Sequence, residues 1–437
     1  MDSTLNLPAF PPSQGVSHAA IGLFVFAAAG SWRIQLVGTL PVFELALPAL
    51  VVAAILTDRS AALRDRTALS VVAAAGAWFL AQVVSDIANE TEPFDGVRGL
   101  ANIGMFILTV VACHLAISTV RHGLPAIVLG LCAGTALQVF LQPDIYQQTD
   151  PWKFGLGHSA TLAAALAVGH ATSSRRWVGG CVLIAFAAAH VAFGSRALAG
   201  LCLLSGVTVL TLGSRSVAQR ASLAGMAMLL AVFLVALIAL RTGYEFVVDS
   251  GILPDEVREK FESQGASDLG LILSGRSELL VSTTAISERP WLGYGSWARD
   301  EGFAKELEWA RLAQGHTIAT ARVEDDFIPS HSHVFGAWVQ SGILGAAFWL
   351  YIAGLLAFVL WRLAPAASAS GIAVVYLLYT LGWDILFSPM SLGSRTWSAL
   401  AVAVLVSLTS AGLRRSPTVQ GDRSFIAGHT QSKTRVH

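Results

Sequence analysis

The chain has 437 residues, of which 54% are hydrophobic and only 13% are charged. This charged fraction is about half that of an ordinary soluble domain, so the composition excludes most soluble folds. Lysine and arginine together number 28, as do aspartate and glutamate. A net charge of zero gives no electrostatic reason to expect a nucleic-acid partner.

Apolar segments recur along most of the chain, and each is long enough to cross a hydrocarbon core of about 30 Å as a helix. The pattern predicts an all-α polytopic membrane protein with about 12 transmembrane helices. Helices 1 to 9 fall within residues 18–241, and helices 10 to 12 within residues 334–412. The predicted spans are 18–34, 38–57, 67–86, 99–120, 123–141, 156–172, 177–193, 197–213, 220–240, 334–358, 371–388 and 396–412.

The distribution of charge predicts how the chain is oriented in the bilayer. Arginines cluster in alternate short connections, which favours the cytoplasmic side for those connections. Both termini are then cytoplasmic, as an N-terminal tail at 1–17 and a C-terminal tail at 413–437. The C-terminal tail carries five basic residues and one acid, which is typical of a solvated cytoplasmic segment.

Residues 242–333, between predicted helices 9 and 10, form one long connection on the outer side. They contain 16 acidic and 8 basic residues, a net charge of −8. A connection of this length is usually functional or disordered. Helical spacing at 276–288 and 301–312, together with several tryptophans, favours an ordered helical loop. A small extramembranous cap without chemistry is the alternative.

Arg196 follows Ser195 at the join of predicted helices 7 and 8, on the outer side. A basic residue there runs against the positive-inside trend. A guanidinium pairs bidentately with phosphate oxygens and keeps its charge, so Arg196 is a candidate for binding a lipid diphosphate. The alternative is an arginine that anchors a helical hairpin at the membrane surface.

Arg276 follows Gly275 at the start of the first predicted loop helix. The unpaired N–H groups and the dipole of a helix already favour an anion at this position, and a guanidinium adds to them. The arrangement predicts a second phosphate-binding arginine. A surface arginine paired with Glu278 or a neighbouring acid is the alternative.

Two histidines, His331 and His333, stand just before predicted helix 10. A histidine in the first turn of a helix tends to stay neutral, because the helix dipole disfavours its charged form, and it can therefore accept a proton. His333 is the candidate general base, with His331 as a supporting residue. A metal site would need a third ligand, and nothing in the spacing favours one, so we expect neither a metal nor a cofactor.

Asp384 lies inside predicted helix 11. An acid within a membrane span is costly enough to be a functional candidate, and Arg395 and Arg196 are its candidate partners. A structural ion pair is an equally good interpretation, so we assign Asp384 a supporting role.

Three outer-face elements, in this order, resemble the O-antigen ligase and O-antigen polymerase superfamily of bacterial cell-surface polysaccharide assembly. The resemblance by motif covers about residues 190–360, and the rest of the chain matches by hydropathy. Ala197 stands where the family usually has glycine, and Val334 where it usually has asparagine. The matching stretches are GSRALAG (194–200), SGRSELL (274–280) with RPWLGYG (289–295), and HSH (331–333) with QSGILG (340–345).

The resemblance implies a protein of the bacterial inner membrane, with a large periplasmic loop between helices 9 and 10. It also implies metal-independent transfer of a glycan from an undecaprenyl-diphosphate carrier. Arg196 and Arg276 match the arginines that hold the donor diphosphate, and His333 matches the histidine that activates the acceptor hydroxyl. The acceptor is a second lipid-linked glycan for a polymerase, lipid A-core for a ligase, or a serine or threonine for a protein O-oligosaccharyltransferase.

Elementary chemistry agrees with these roles. Fixed arginines stabilise the charge that develops on a departing diphosphate, and one displacement by a hydroxyl predicts inversion at the anomeric carbon. The acidic loop is poorly suited to attract phosphorylated lipid A-core, which slightly favours a polymerase. A 12-helix secondary transporter is the rival function, but the sequence shows no two similar halves.

Overall fold

Almost all of the described part of the chain is helical, in a computed structural model of the protein. The all-α class predicted from the sequence is therefore confirmed for that part, apart from one two-stranded antiparallel hairpin of β1 (Arg33–Leu36) and β2 (Gly38–Pro41). The structure describes residues 17–36, 38–56, 59–172, 175–212, 277–313, 326–362 and 369–414.

The helices are numbered α1 to α15 in chain order. Two short 3-10 helices, Val42–Ala46 and Arg59–Arg64, flank α2, and a π-helical turn, Trp152–Leu156, leads into α7. The α-helices are α1 (His18–Ala29), α2 (Leu47–Leu56), α3 (Arg66–Ala88), α4 (Pro93–Thr119), α5 (Gly123–Leu141), α6 (Ile145–Thr149), α7 (Gly157–Ala171), α8 (Arg176–Ala192), α9 (Arg196–Leu212), α10 (Ser277–Glu288), α11 (Glu301–Ala313), α12 (His333–Ser341), α13 (Ile343–Arg362), α14 (Gly371–Phe387) and α15 (Leu392–Arg414).

Five helices of the described segments are long and apolar enough to cross a membrane. They are α3, α4, α5, α13 and α15. Shorter apolar helices cover the predicted spans at 177–193, 197–213 and 371–388. Predicted span 220–240 lies outside the described residues, so the count of 12 stays a prediction.

The β-hairpin corrects the first two predicted spans, 18–34 and 38–57. Arg33 and the polar residues beside it lie in strands rather than helix, and Arg33 pairs with Asp144 at 3.0 Å. The helix before the hairpin, α1, has 12 residues. At 1.5 Å per residue it is about 18 Å long, short of the roughly 30 Å of a hydrocarbon core.

A break at Gly342 corrects predicted span 334–358, which is two helices, α12 and α13, rather than one. Gly342 has φ +67° and ψ −159°, a backbone conformation that is essentially restricted to glycine. A Cβ at this position would lie 1.9 Å from the carbonyl oxygen of Trp291. The chain can turn at residue 342 only because this residue is a glycine. The missing side chain also lets the Trp291 carbonyl approach the junction between α12 and α13.

The two ends of the bundle are distinguished by the ends of α3. At its N-terminus, the Asp65 carboxylate accepts a hydrogen bond from Thr67 N at 3.0 Å and another from Ser410 near the end of α15. At its C-terminus, Asp86 accepts a hydrogen bond from Ser296 N at 2.6 Å. The described part of the predicted loop therefore sits at the end of the bundle opposite to Asp65.

The two helices predicted within the loop, at 276–288 and 301–312, are confirmed as α10 and α11. They pack on each other and on α12 through a small apolar core separate from that of the bundle. Its buried members are Val281, Ala285, Ile286, Phe303, Leu307, Ile328 and Val339.

Candidate functional site

The histidine segment lies between Pro329 and the start of α12. Ser332 is the N-cap of α12, because its hydroxyl accepts a hydrogen bond from Phe335 N at 3.2 Å. The same hydroxyl donates to the carbonyl of Ile385 near the end of α14, at 2.7 Å. These two hydrogen bonds fix the segment against α14.

His333, the predicted base, is buried, with 1% of its surface exposed. Its Nδ1 lies 2.7 Å from the carbonyl oxygen of Ser388, and its Nε2 lies 3.0 Å from Ser398 Oγ. A carbonyl only accepts, so Nδ1 carries the proton and Nε2 accepts the hydrogen bond from Ser398. Both ring nitrogens are therefore engaged within the protein, and an acceptor hydroxyl reaches Nε2 only if Ser398 gives up its hydrogen bond.

Asp384 is buried on α14 and lies beside this pair, with Oδ2 3.5 Å from Ser398 Oγ. Arg395, one of the two candidate partners of Asp384, instead forms an ion pair with Glu44 and donates to Asn102 at 2.7 Å. That prediction is wrong. The reason is that Arg395 on α15 faces α4 and the 3-10 helix before α2, whereas Asp384 faces Ser398.

His331 has the opposite environment to His333. About half of its side chain, 52%, is exposed, and its Nδ1 lies 4.0 Å from Glu278 Oε1 on α10. Glu278 itself is 8% exposed and pairs with Arg311 on α11 at 3.1 Å. The 4.0 Å separation is an ion-pair distance rather than a hydrogen bond.

A small cleft opens beside His331, between α10, α12 and the end of α14. It has about 10 Å³ of space open to water, close to the volume that one water molecule needs. The cleft is lined by Leu279, Ser282, His331, Ser332, Phe335, Leu386 and Phe387.

Arg196 is the first residue of α9 and is half-buried. The turn before it contains Gly194, at φ +69°, and Ser195, whose N–H donates to the carbonyl of His190 at 2.8 Å. Ser195 is 2% exposed, and among the described residues no hydrogen-bond partner faces its hydroxyl. A buried hydroxyl without a partner is uncommon in proteins.

Two close approaches indicate that α9 begins at the same end of the bundle as His333. A Cβ on Gly169, near the end of α7, would lie 2.1 Å from the carbonyl oxygen of Ala369, so the end of α7 lies beside the start of α14. The other end of α14 lies beside His333, because Ser388 directly after this helix contacts the His333 ring. A Cβ on Gly157, at the start of α7, would lie 3.0 Å from Leu198 in the first turn of α9. The start of α9 and the histidine segment therefore share one end of the bundle.

Arg276 and Gly275, the second predicted anion site, lie outside the described residues. Ser277, which follows Arg276 directly, is buried and begins α10. The next residue, Glu278, is the one that faces His331.

The turn at 289–296 makes contacts that the sequence did not reveal. Asp86 at the end of α3 accepts hydrogen bonds from both the N–H and the hydroxyl of Ser296, at 2.6 and 2.9 Å. Asn89 donates to the carbonyl of Gly293 at 3.2 Å and accepts from Arg289 at 2.7 Å. The partners are about 200 residues apart in sequence, so no local pattern marks them.

Two aromatic residues of this turn differ in environment. Trp291 is 75% exposed. Tyr294 donates to the Glu288 carboxylate at 3.1 Å, and its loss of hydration, together with this carboxylate, raises the pKa of its phenol to about 12.

The metal interpretation of the two histidines gains no support from their surroundings. In the described ranges, no group of three or more histidine, cysteine, aspartate or glutamate side chains is placed to hold a metal ion. Compared with known proteins, the chain matches no family model and no curated sequence.

Proposed function

We propose that the chain is a membrane glycosyltransferase that moves a glycan from an undecaprenyl-diphosphate carrier to an acceptor hydroxyl. It acts on the periplasmic face of the bacterial inner membrane, with both termini in the cytoplasm. Arg196 and Arg276 hold the donor diphosphate. A histidine of the 331–333 segment accepts the proton of the acceptor hydroxyl, and the family resemblance favours His333 for this role.

The observation that carries the proposal is the contact between α10 and the histidine segment. Ser282 on α10 donates to the carbonyl of Pro329 at 2.6 Å, and Glu278 lies 4.0 Å from His331. The helix that begins directly after Arg276 thus adjoins the histidines, although more than 50 residues separate the two motifs. The start of α9, with Arg196, is at the same end of the bundle.

The proposed roles define one displacement reaction. The acceptor oxygen attacks the anomeric carbon of the donor glycan while its proton passes to the histidine. The bond between the anomeric carbon and the diphosphate breaks, and undecaprenyl diphosphate leaves with the bonding electrons. The guanidinium groups stabilise the negative charge that builds on the departing oxygen. Stabilisation of such charge is usually the largest single contribution to catalysis. The base adds about 10²–10⁴-fold.

A polymerase is favoured over a ligase by the charge of the loop. Residues 242–333 carry a net charge of −8. Repulsion of a phosphorylated lipid A-core by such a surface is strongest at low ionic strength. We therefore propose a second lipid-linked glycan as the acceptor in preference to lipid A-core, and a protein hydroxyl is the alternative acceptor.

Reconstitution of the purified protein tests the proposal. Proteoliposomes receive a labelled undecaprenyl-diphosphate-linked repeat unit, with or without lipid A-core, and the products are sized on a gel. A ladder of products without lipid A-core is the expected result for a polymerase, whereas label that moves only to lipid A-core identifies a ligase. An intact donor that gives no product with any acceptor, including a protein acceptor, contradicts glycosyl transfer and favours the transporter.

Arginine variants test the donor site. Arg196→Ala and Arg276→Ala should each lower kcat by about 10²–10³-fold, the effect of removing one charge-stabilising group from a transition state. Lysine at either position should restore part of the loss, since it keeps the charge but not the bidentate geometry. Arg64→Ala is the matched control, because Arg64 is exposed and lies beside Asp65 at the opposite end of the bundle.

A further inference from the structure

A cluster of aromatic and charged side chains lies on the surface where the start of α4 meets the chain that follows the 289–296 turn. Phe94 on α4 is 50% exposed, and Trp297 is 36% exposed. The Arg98 guanidinium lies over the Trp297 ring, 4.2 Å from its centroid, and 5.5 Å from the centroid of Phe94. We call this cluster the Trp297 surface, and its members are Phe94, Asp95, Arg98, Trp297, Arg299 and Phe327.

The backbone at Trp297 is in the left-handed region, with φ +53°, which a bulky residue rarely adopts. The residue before it, Ser296, is fixed from two sides. Asp86 accepts its N–H, and a Cβ at Gly99 on α4 would lie 1.9 Å from its Oγ. A strained residue whose ring stays partly exposed is not explained by core packing, and such residues cluster at ligand-binding sites. The indole ring is therefore held in place before any ligand binds.

The charges of the Trp297 surface are balanced. Asp95, with 8% of its side chain exposed, accepts a hydrogen bond from Arg98 at 3.2 Å and lies 3.8 Å from Arg299. Asp326 also faces Arg299, at 3.7 Å. A phosphate bound to either arginine would meet a carboxylate beside it, so the cluster does not suit an anion. It suits an uncharged ligand that can both donate and accept hydrogen bonds.

We propose that the Trp297 surface binds uncharged sugar residues of the acceptor glycan. This inference rests on the proposed function, which supplies a lipid-linked glycan at this end of the bundle. One face of a sugar ring carries C–H groups, which pack on the negative face of an aromatic ring. The hydroxyl groups at the edge of the sugar donate to carboxylates and accept from guanidinium groups.

The Trp297 surface is connected directly to the histidine segment. Residues 326–328 pair with residues 298–300, through Asp300 N to Asp326 O at 2.7 Å and Ile328 N to Ala298 O at 2.9 Å. Phe327 precedes His331 by four residues, so their Cα atoms are at most about 14 Å apart. A short oligosaccharide on the surface can therefore extend to the histidines. The surface then holds a part of the acceptor that does not react.

Binding of a lipid-free oligosaccharide tests the site separately from catalysis. The probe is the oligosaccharide released by mild acid from the lipid-linked repeat unit, titrated onto the full-length protein in detergent and followed by saturation-transfer NMR. Trp297→Ala and Phe94→Ala should each weaken binding by about 2–10-fold, the contribution of one aromatic contact. Trp297→Phe keeps a ring face and should weaken binding less than Trp297→Ala.

Two variants serve as controls for this titration. Trp177→Ala removes an exposed tryptophan near the start of α8 and should bind like wild type. That end of the bundle is the opposite one, because a Cβ at Gly179 would lie 2.0 Å from Ile372 at the start of α14. Phe94→Ala removes an exposed ring and should melt like wild type, so it tests the site even if Trp297→Ala is unstable.

Kinetics in the proteoliposome assay test the role of the site in transfer. Phe94→Ala and Trp297→Ala should raise the KM for the lipid-linked repeat unit with kcat little changed, because they remove binding that is equal in the ground state and the transition state. A purely structural role for these rings predicts instead a lower kcat from a smaller active fraction, with KM unchanged.

The outcomes separate this inference from the proposed function. Oligosaccharide binding that is equal in wild type and both alanine variants overturns the inference, as does a wild-type protein that binds no oligosaccharide at millimolar concentration. Binding that is weakened in both variants, with no transfer by wild type, supports the sugar site and contradicts the proposed function. Transfer by wild type, with KM and binding unchanged in both variants, supports the proposed function and overturns the inference alone.

Discussion

Gly342 is the residue whose replacement should most disturb the junction between α12 and α13. Its backbone conformation, φ +67° and ψ −159°, is rarely open to a residue with a side chain. A Cβ there would lie 1.9 Å from the carbonyl oxygen of Trp291, well inside contact distance. Gly342→Ala should therefore strain the junction and push the 289–296 turn away from α12.

The cost in free energy of unfolding has two parts. The strained backbone contributes about 1–3 kcal/mol. Displacing the turn also breaks two hydrogen bonds to α12, from Tyr294 N to Val339 O at 2.7 Å and from Gly295 N to Gln340 O at 3.1 Å. Each is worth about 0.5–1.5 kcal/mol, so the total loss is roughly 2–6 kcal/mol.

Thermal unfolding in detergent, followed by tryptophan fluorescence, measures the effect. Gly342→Ala should melt a few degrees below wild type, on the scale of about 1 °C per kcal/mol for a chain of 437 residues, because the entropy of unfolding is about 2.1 cal/mol/K per residue. Gly354→Ala is the matched control, because a Cβ at Gly354 in α13 has nothing within 4 Å. Its alanine should leave stability unchanged or raise it by about 0.5–1 kcal/mol. Equal melting temperatures for the two variants would refute the argument that the close approach of Gly342 and the Trp291 carbonyl stabilises the turn.

Two further predictions concern buried and shielded ionisable groups. Glu44→Ala leaves the Arg395 charge buried without its carboxylate and should cost about 3–5 kcal/mol, and replacing both residues by apolar ones should recover most of this in the same melting assay. Glu301→Ala, at an exposed helix position, is the control and should melt like wild type. Because the pKa of Tyr294 is raised to about 12, the unfolded chain ionises this phenol before the folded chain does, so the residue lowers stability as pH rises from about 10 to about 12. The melting temperature of Tyr294→Phe should fall less than that of wild type between pH 10 and pH 12. An ultraviolet difference titration of wild type against Tyr294→Phe measures the ionisation of this phenol, and a midpoint near pH 10 would contradict the raised pKa.

The sequence predicted the helices that depend only on length and apolar composition. The span predicted at 123–141 coincides with α5, and the loop helix predicted at 301–312 differs from α11 by one residue. In α5 a continuous apolar segment, with Pro125 in its first turn where proline is tolerated, agrees with the tertiary environment, and in α11 the spacing of Phe303 and Leu307 does so. Local consistency of this kind is what single-sequence reasoning can detect.

Features that depend on distant contacts were not predictable. The break at Gly342 exists because the Trp291 carbonyl approaches it, and the β-hairpin is held by Arg33, whose partner Asp144 lies 111 residues away. Arg395 pairs with Glu44 over 351 residues, which removed it as a partner for Asp384. The sequence correctly predicted that His333 lies at the start of a helix, but it did not predict that the His333 side chain is buried.

The aromatic cluster beneath the histidine segment explains how that segment keeps a fixed geometry at the end of a bundle. Trp349, on which His333 packs, belongs to a buried group in which Trp78 stacks on Phe348 at 5.2 Å. A densely packed aromatic core resists displacement, so His333 cannot shift without moving several large rings. The segment is held at the adjacent position by the two hydrogen bonds of Ser332. The backbone at His331, the residue before Ser332, is thereby held close to α14.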